Sequence, residues 1–374
     1  MNVAVVRNRD IEGVINRFGQ PCPEKYGEQT VQRVVDALSE DGHAVALLEA
    51  DKNLLSELEE FMPPDAEGLP TGMVFNMAYG IQGQCRYTHV PAMLEMAGVP
   101  YTGSSPLGHA LALDKVITKT LIQKVGVPTP NFRVMSKPEE SVEGLRFPLV
   151  VKPRHESTSY GLHLVNNLDE LGAAVSSVIT DYQQDALVEE YIEGREMCVA
   201  MLGNDEMEFL PLVESDFGDR KSRLITWADK LHKCAAEPEK ICPAQIDENL
   251  AEQLREISLA TFRACHCRDY SRVDIRIDAQ GNPFVLEINS MASLGGTSSY
   301  VLAAETRGYT FASMINRILD VAHRRYFGGP APRCTLAGNP LGGLSQRRWR
   351  IGYVLDHSAD QLKTYPATSA LRSR

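Results

Sequence analysis

The chain reads as an α/β protein, with an N-terminal parallel α/β domain followed by two α+β domains. Two observations carry this reading. Over the first 107 residues, short apolar strands alternate with amphipathic helical runs, the pattern of a parallel sheet covered on both faces. Further along, strands punctuated by Gly and Pro become frequent, helices fall between them, and the last strands alternate polar and apolar residues. The 374 residues suit two or three domains at roughly 100–200 residues each.

In 1–107, Val3-Ala4-Val5-Val6 is a short buried strand, followed by a loop containing Gly, Pro and Asn. Val31, Val34, Val35 and Leu38 then recur at helical spacing, predicting a helix over Gln29–Glu40 that Asp41-Gly42 ends. Ala44–Leu48 and Met73–Met77 are the next strands. In 108–195 the predicted order is a helix over Asp114–Val125 closed by Gly126, strands at Phe147–Lys152 and Gly161–Val165, a helix from Leu168 to Tyr182, and a strand at Ala186–Tyr191. In 196–328 come further strands, a helix over Glu248–Cys267, a hairpin pairing Arg272–Ile277 with Pro283–Asn289 through the turn Asp278–Asn282, and a helix from Phe311 to Tyr326. Residues 329–374 differ in kind. From Pro330 onward there are seven Lys/Arg against two Asp, with Gly, Pro and Ser but no periodicity. That composition reads as a flexible extension, a partner-binding arm being the alternative.

Composition excludes several classes. A net charge of −11 argues against nucleic acid as the main partner, because phosphate neutralisation needs a basic face. No stretch reaches the ~18 apolar residues of a membrane span, and Met1–Val6 lacks the cationic segment and long apolar core of a signal peptide. The eight cysteines show no disulfide framework, so a reducing cytoplasm is the expected compartment. Cys265-His266-Cys267 lacks the paired spacing of a closed zinc site and falls late in an apolar-periodic helix, which predicts buried thiols.

Three segments carry chemistry. Side chains two apart on a strand share a face, so Arg272 and Asp274 project together, as do Glu287 and Asn289. The hairpin then converges two carboxylates and an amide oxygen beside a guanidinium, hard ligands that suit Mg²⁺ with substrate phosphates; solvated surface charges are the bland alternative. In Val150–Gly161, Lys152 ends an apolar strand and a small, hydroxyl-rich loop follows, which can wrap phosphate oxygens. Neither a P-loop nor a Rossmann glycine pattern is present. In Leu187–Glu196, apolar residues lead into an acidic segment fit to accept from a purine and its ribose, or to form a charged edge strand.

Taken together and in this order, these segments resemble the ATP-grasp fold and, within it, the D-alanine–D-alanine ligases. The resemblance runs from about Met73 to Phe327 and includes Pro100-Tyr101-Thr102-Gly103-Ser104 and Asp114-Lys115 with Lys119. It implies two ATP-grasp subdomains clasping ATP. Lys115 and Lys152 match the lysines that reach the nucleotide phosphates, and Thr158 and Ser159 the paired hydroxyls of the phosphate-covering loop. Glu189, with backbone groups of Glu190 and Ile192, matches the adenine site, flanked by Leu286, and Glu196 matches the ribose acceptor. Asp274, Glu287 and Asn289 fall on the ligands of two Mg²⁺, with Mn²⁺ an acceptable substitute. Arg272 falls on the transition-state arginine, Lys233 on the lysine of a lid spanning Glu214–Lys240, and Ser298 on a serine near the second substrate. Glu24 and Glu28 both lie near the glutamate that binds the substrate amino group, and Arg86 is available for a carboxylate. The implied partners are ATP and small amino-acid or peptide-like substrates, with a homodimer allowed.

The implied reaction has two steps. A carboxylate attacks the γ-phosphate, giving an acyl phosphate and ADP; an amine then displaces phosphate to leave an amide. Arg272 and the backbone N–H groups near Gly295-Gly296 would stabilise the oxyanion. Departures from the pattern concentrate at the substrate end. Ser157 replaces a glycine, Cys234 follows Lys233 in place of tyrosine, and Met291–Gly296 carries an extra residue. The acidic, His-Gly-containing segment that binds the first D-alanine is replaced by Ala78-Tyr79-Gly80-Ile81-Gln82-Gly83-Gln84-Cys85-Arg86. The expectation is therefore a dipeptide-forming or amino-acid-conjugating ligase whose substrate is not D-alanine. A D-alanine–D-alanine ligase proper, a non-catalytic ATP-binding module and a phosphotransferase are its rivals.

Overall fold

Four consecutive apolar residues, Val3 to Val6, are all fully buried in strand β1 (Asn2–Arg7). The reason is position: β1 is the centre of a parallel sheet, flanked by β2 (Ala44–Glu49) and β3 (Gly72–Asn76) in the order β2-β1-β3, so both of its faces are covered. The computed structural model describes residues 1–8, 13–17, 19–220, 223–224 and 238–332. Helix α1 (Glu28–Glu40) buries Val31, Val34, Ala37 and Leu38 against this sheet, as the spacing predicts. Four helices were not legible in the sequence: α2 (Leu54–Phe61), α3 (His89–Ala97), α4 (Pro106–Leu113) and a later one at Ser299–Arg307. The first two are short, and α4 is apolar nearly all round, which erases periodicity. Its start is nonetheless set locally, because Ser105 accepts from the Gly108 N–H at 3.2 Å.

Helix α5 (Lys115–Lys124) begins where Asp114 accepts from the N–H groups of Val116 and Ile117. It leads into an antiparallel sheet of β4 (Phe132–Met135), β5 (Leu149–Pro153), β6 (His163–Val165) and β7 (Ala186–Glu190), in the order β4-β7-β5-β6. Helix α6 (Leu168–Tyr182) closes one face with Leu171, Val175 and Val178. The last sheet contains β8 (Gly194–Gly203), β9 (Met207–Phe209), β10 (Val213–Asp216), β11 (Glu239–Ile241), β12 (Tyr270–Asp278) and β13 (Pro283–Asn289), ordered β11-β10-β8-β12-β13 with β9 on β8.

Helix α7 (Glu248–Ala264) covers one face of that sheet and ends three residues short of the expected Cys267. Cys265 caps it and His266 turns the chain with a positive φ of 51°. Cys265 and Cys267 are free and buried, and burial pushes the Cys265 thiol up to about 12. Helices α8 (Ser299–Arg307) and α9 (Phe311–Phe327) cover the other face, where Ala200, Tyr300 and Ile318 share one core with Val3, Val31 and Leu38 of the N-terminal layer. All described residues belong to one compact unit, Met1–Thr335. Of the basic tail, everything beyond residue 332 lies outside the described residues. No helix among the described residues is long and apolar enough to cross a membrane.

Candidate active site

The β12–β13 hairpin pairs as the alternation predicts, with Arg272 opposite Asn289 and Asp274 opposite Glu287. Val273, Ile275, Ile277, Val285 and Ile288 turn to the core. Val285 and Ile288 are three apart, so strict alternation fails once. The register shifts between Asp274 and Ile275, leaving Leu286 as the extra residue of a bulge. Two carboxylates directly opposite each other repel, and two cations offset this. Arg272 donates to both oxygens of Asp274 at 2.6 and 2.7 Å, and Lys115 Nζ lies 3.4 Å from Glu287 Oε2. Asn289 Nδ2 donates to Asp274 at 3.1 Å, which places its amide beside the same carboxylate.

Three lysines gather above the hairpin. Lys115 and Lys119 lie one turn apart on α5 and therefore share a face. Lys152 ends the apolar run of β5, and Glu189 of β7 is its diagonal neighbour. The Glu189 carboxylate bridges Lys119 Nζ at 2.8 Å and Lys152 Nζ at 2.5 Å, so it faces two ammonium groups. Burial alone would raise its pKa, but the two lysines hold it below the usual carboxylate range. Lys119 is fully buried, and burial drops its pKa to about 8 despite Glu189. It also donates to Thr129 Oγ1 at 2.7 Å. Lys115 Nζ donates to the Glu156 carbonyl at the start of the phosphate-loop candidate.

In that loop, Thr158 and Ser159 both adopt φ of 57°. The left-handed burden thus falls on these two rather than on Ser157, the residue at the family's glycine position. Ser157 instead donates to Glu24. Glu24 is buried and also accepts from Tyr87 Oη at 2.8 Å and from Arg86 Nη2 at 3.0 Å. Arg86, expected to meet a substrate carboxylate, is buried and engaged by protein groups. Besides Glu24 it donates to Glu156 at 3.1 Å and to the His155 carbonyl at 3.2 Å. Glu28, the alternative to Glu24, sits exposed in the first turn of α1. Tyr26, Tyr79 and Tyr87 form an aromatic wall beside this cluster, with ring centroids 5.0 and 5.3 Å apart.

The Glu190 side chain turns away to Arg146 at 3.0 Å and Asn131 at 3.0 Å. Glu190 and Ile192 border a cavity of about 370 Å³ that reaches Asp278 and Gln280 at the hairpin tip, and none of Lys115, Lys152, Asp274 or Glu287 lines it. Ser298 accepts from the Val301 N–H at 3.2 Å and so serves as the cap of α8. Lys233 and most of 214–240 lie outside the described residues. Glu196 pairs with Arg276 at 3.0 Å. Sequence reasoning passed over Arg276, although it alternates with Arg272 and Asp274 on β12, and over Glu156 and Tyr87, which no periodicity marks.

Two antiparallel sheets, one carrying Lys152 and Glu189 and the other the acidic hairpin, with Lys115 and Lys119 of α5 beside them, constitute an ATP-grasp fold. A solved D-alanine–D-alanine ligase from Bacillus anthracis complexed with ATP superposes with a TM-score of 0.65 at 20% identity, covering 87% of this chain and 97% of that one. The family model described as D-ala D-ala ligase C-terminus matches residues 121–320. Among curated relatives, the uncharacterized protein y4sG of Sinorhizobium fredii is 59% identical over 88% of this chain and 98% of its own length. D-alanine–D-alanine ligases of Pelotomaculum thermopropionicum and Carboxydothermus hydrogenoformans are 34% and 30% identical, over 75% and 91% of their lengths and 62% and 78% of this chain. The chain belongs to the D-alanine–D-alanine ligase family, whose class is the ATP-dependent, ADP-forming carboxylate–amine ligase.

Proposed function

We propose that this protein joins a carboxylate to an amine through an acyl phosphate, with ATP in the cleft and Mg²⁺ on the hairpin, and that its first substrate is not D-alanine. We further propose the division 1–107, 108–195 and 196–328 as substrate domain and two ATP-grasp subdomains. The observation that carries the chemistry is the convergence of Asp274, Glu287 and Asn289 with Arg272 and Lys115 on one face of a two-stranded hairpin. Two carboxylates and an amide fit Mg²⁺, which completes its shell with phosphate oxygens and water. Among the described residues no cluster of three His, Cys, Asp or Glu offers a cage independent of such oxygens. When bound there, Mg²⁺ supplies charge neutralisation at the transferring phosphate.

The chain's own groups account for the rest. Lys115 and Lys152 place positive charge where the triphosphate lies, and positioning does most of the work in phosphoryl transfer. The substrate carboxylate oxygen bonds to the γ-phosphorus as the bond to ADP breaks. The amine nitrogen then bonds to the acyl carbon, phosphate departs with the C–O electron pair, and the nitrogen loses a proton. Arg272 donates to the developing oxyanion.

Glu24 supports the substrate reading. Its carboxylate is buried and accepts from Arg86, Tyr87 and Ser157, so a substrate ammonium would have to displace a protein donor. Breaking such a buried pair costs several kcal/mol. The curated relatives named D-alanine–D-alanine ligases favour a second reading, in which D-alanine is joined after all. Hydroxylamine trapping separates the two. With ATP-Mg²⁺, an acid panel that includes D-alanine, and hydroxylamine as the amine, hydroxamate should form best from larger or N-blocked acids. Efficient hydroxamate from D-alanine, together with D-alanyl-D-alanine in its absence, overturns this substrate assignment.

A further inference from the structure

Arg33 is an exposed residue of α1 whose guanidinium is nevertheless held in place. Its central carbon lies 3.9 Å from the ring centroid of Phe311, the first residue of α9. That stack uses the flat face of the guanidinium and leaves the five N–H donors on its edge. Among the described residues, none of them meets a protein acceptor. One nitrogen is aimed: Nη1 stands 3.0 Å from where a Cβ at Gly296 would be, so the glycine leaves room for it.

Gly296 and Thr297 are exposed residues of the loop that follows Asn289 and leads into α8. Lys240 of β11 donates to the Thr297 carbonyl. Lys240 lies opposite Ser215, Ser215 opposite Glu196, and Glu196 opposite Arg276. Residues paired in this way share a face, and Arg272, Asp274 and Arg276 alternate onto that same face of β12. Lys240 thus stands on the side of the sheet that carries the chemistry. The Cys198 thiol, opposite Asp274, accordingly feels the charge of Lys240 as well as those of Arg272 and Asp274. Tyr26 Oη accepts from the Leu294 N–H at 3.3 Å, which makes residue 294 an edge of the tyrosine wall beside Glu24 and Arg86. Gly296 and Thr297 lie past that edge, where the second substrate, the amine, has to enter. An amine with only an alkyl side chain leaves the Arg33 fork without a partner, whereas a carboxylate accepts two parallel N–H bonds from it.

We propose that Arg33 reads an acidic side group of the amine substrate, with Lys240 adding positive potential at the same loop, so that the preferred amine is an amino acid with a second carboxylate. The proposal rests on the ligase reading above and names the substrate class of its second half. It makes Arg33 a specificity residue and gives it no part in the transfer itself.

The test takes the acid that yields most hydroxamate and offers matched amines, glutamate against glutamine and aspartate against asparagine, each as both enantiomers. Amide formation and ADP release are followed in wild type, Arg33→Met and Arg33→Lys. Wild type should favour one acidic member over its amide by about tenfold in kcat/KM, the lower end for a hydrogen bond to a charged group because Arg33 is exposed. In Arg33→Met that ratio should fall to about twofold or less, with the loss in KM for the acidic amine. Arg33→Lys should restore only part of it, since the charge returns without the fork. Turnover with hydroxylamine, which has no acidic group, should stay at the wild-type level in both variants and shows that they are folded. If Arg33 merely fastens α1 to α9, Arg33→Met will slow acidic amines, neutral amines and hydroxylamine alike and keep the ratio, which overturns the proposal. Equal use of acidic and neutral amines by wild type overturns it without any variant and leaves the ligase reading standing. Absence of hydroxamate from every acid removes the ligase reading and the proposal with it.

Discussion

Replacing Glu189 with Gln isolates the electrostatic centre of the cleft. Glu189 is 3% exposed, Lys119 0% and Lys152 8%, so the substitution leaves two nearly dry ammonium groups without their shared counter-charge. The pKa of Lys119 is already depressed from 10.5 to about 8 with the carboxylate in place, equivalent to about 3 kcal/mol at 1.36 kcal/mol for each pH unit. Removing one partner from a buried ion pair costs about 3–5 kcal/mol, and the same range is expected here at pH 7. The sign with pH follows from proton linkage. Lys119, already held low by burial, would titrate lower in the folded variant than in the unfolded chain, so the unfolded state binds more protons between the folded value and about 10.4, and stability rises with pH. The deficit of Glu189→Gln relative to wild type should therefore shrink between pH 7 and pH 10. Urea melts at several pH values measure this. A deficit below about 1 kcal/mol at pH 7, or one that grows with pH, refutes the reasoning.

Asp274→Asn and Glu287→Gln should each abolish ADP release while keeping wild-type circular dichroism, because each removes a charge from the hairpin; turnover near wild type in either would remove the metal-site assignment. His109 is buried against Ser290 at 2.9 Å, and burial lowers its pKa to about 4. The unfolded state alone takes up that proton as pH falls from 6.5 to 4, so about 3 kcal/mol of stability should be lost across this window and spared in His109→Gln, as acid-titrated melts will report. Gly194 holds φ of 148°, and a Cβ there would stand 2.0 Å from the Ile277 carbonyl oxygen. Gly194→Ala should cost about 3 kcal/mol or more by thermal or urea denaturation, whereas Gly172→Ala, with open space around it, should not destabilise.

The sequence was most informative where one periodicity governs both structure and chemistry. The hairpin is the clearest case: alternation placed Arg272, Asp274, Glu287 and Asn289 on one face, because register in a strand pair is set by which residues are buried. The bulge at Leu286 was visible as the three-residue step from Val285 to Ile288 but was not read. Lys119 was named beside Lys115 without a role of its own, and Arg276, one strand repeat from Asp274, could have been found by the same rule. What the sequence could not yield were contacts between distant segments. Glu24, Arg86, Glu156 and Ser157 come from three separate stretches, and nothing in their local spacing shows that they meet in one buried cluster. Helices α2, α3, α4 and α8 escaped for another reason, since short or uniformly apolar helices carry no periodic signal.

The central claim is that a carboxylate oxygen is transferred to phosphorus before the amide forms. An acid from the hydroxylamine panel, labelled with ¹⁸O in its carboxylate, is incubated with ATP-Mg²⁺ and the amine, and the released phosphate is analysed by mass spectrometry. Attack on the γ-phosphate followed by displacement leaves one carboxylate oxygen in inorganic phosphate, so one ¹⁸O per phosphate is expected from doubly labelled acid, in step with ADP and amide. Unlabelled phosphate accompanying amide formation, or AMP and pyrophosphate in place of ADP, would contradict the account.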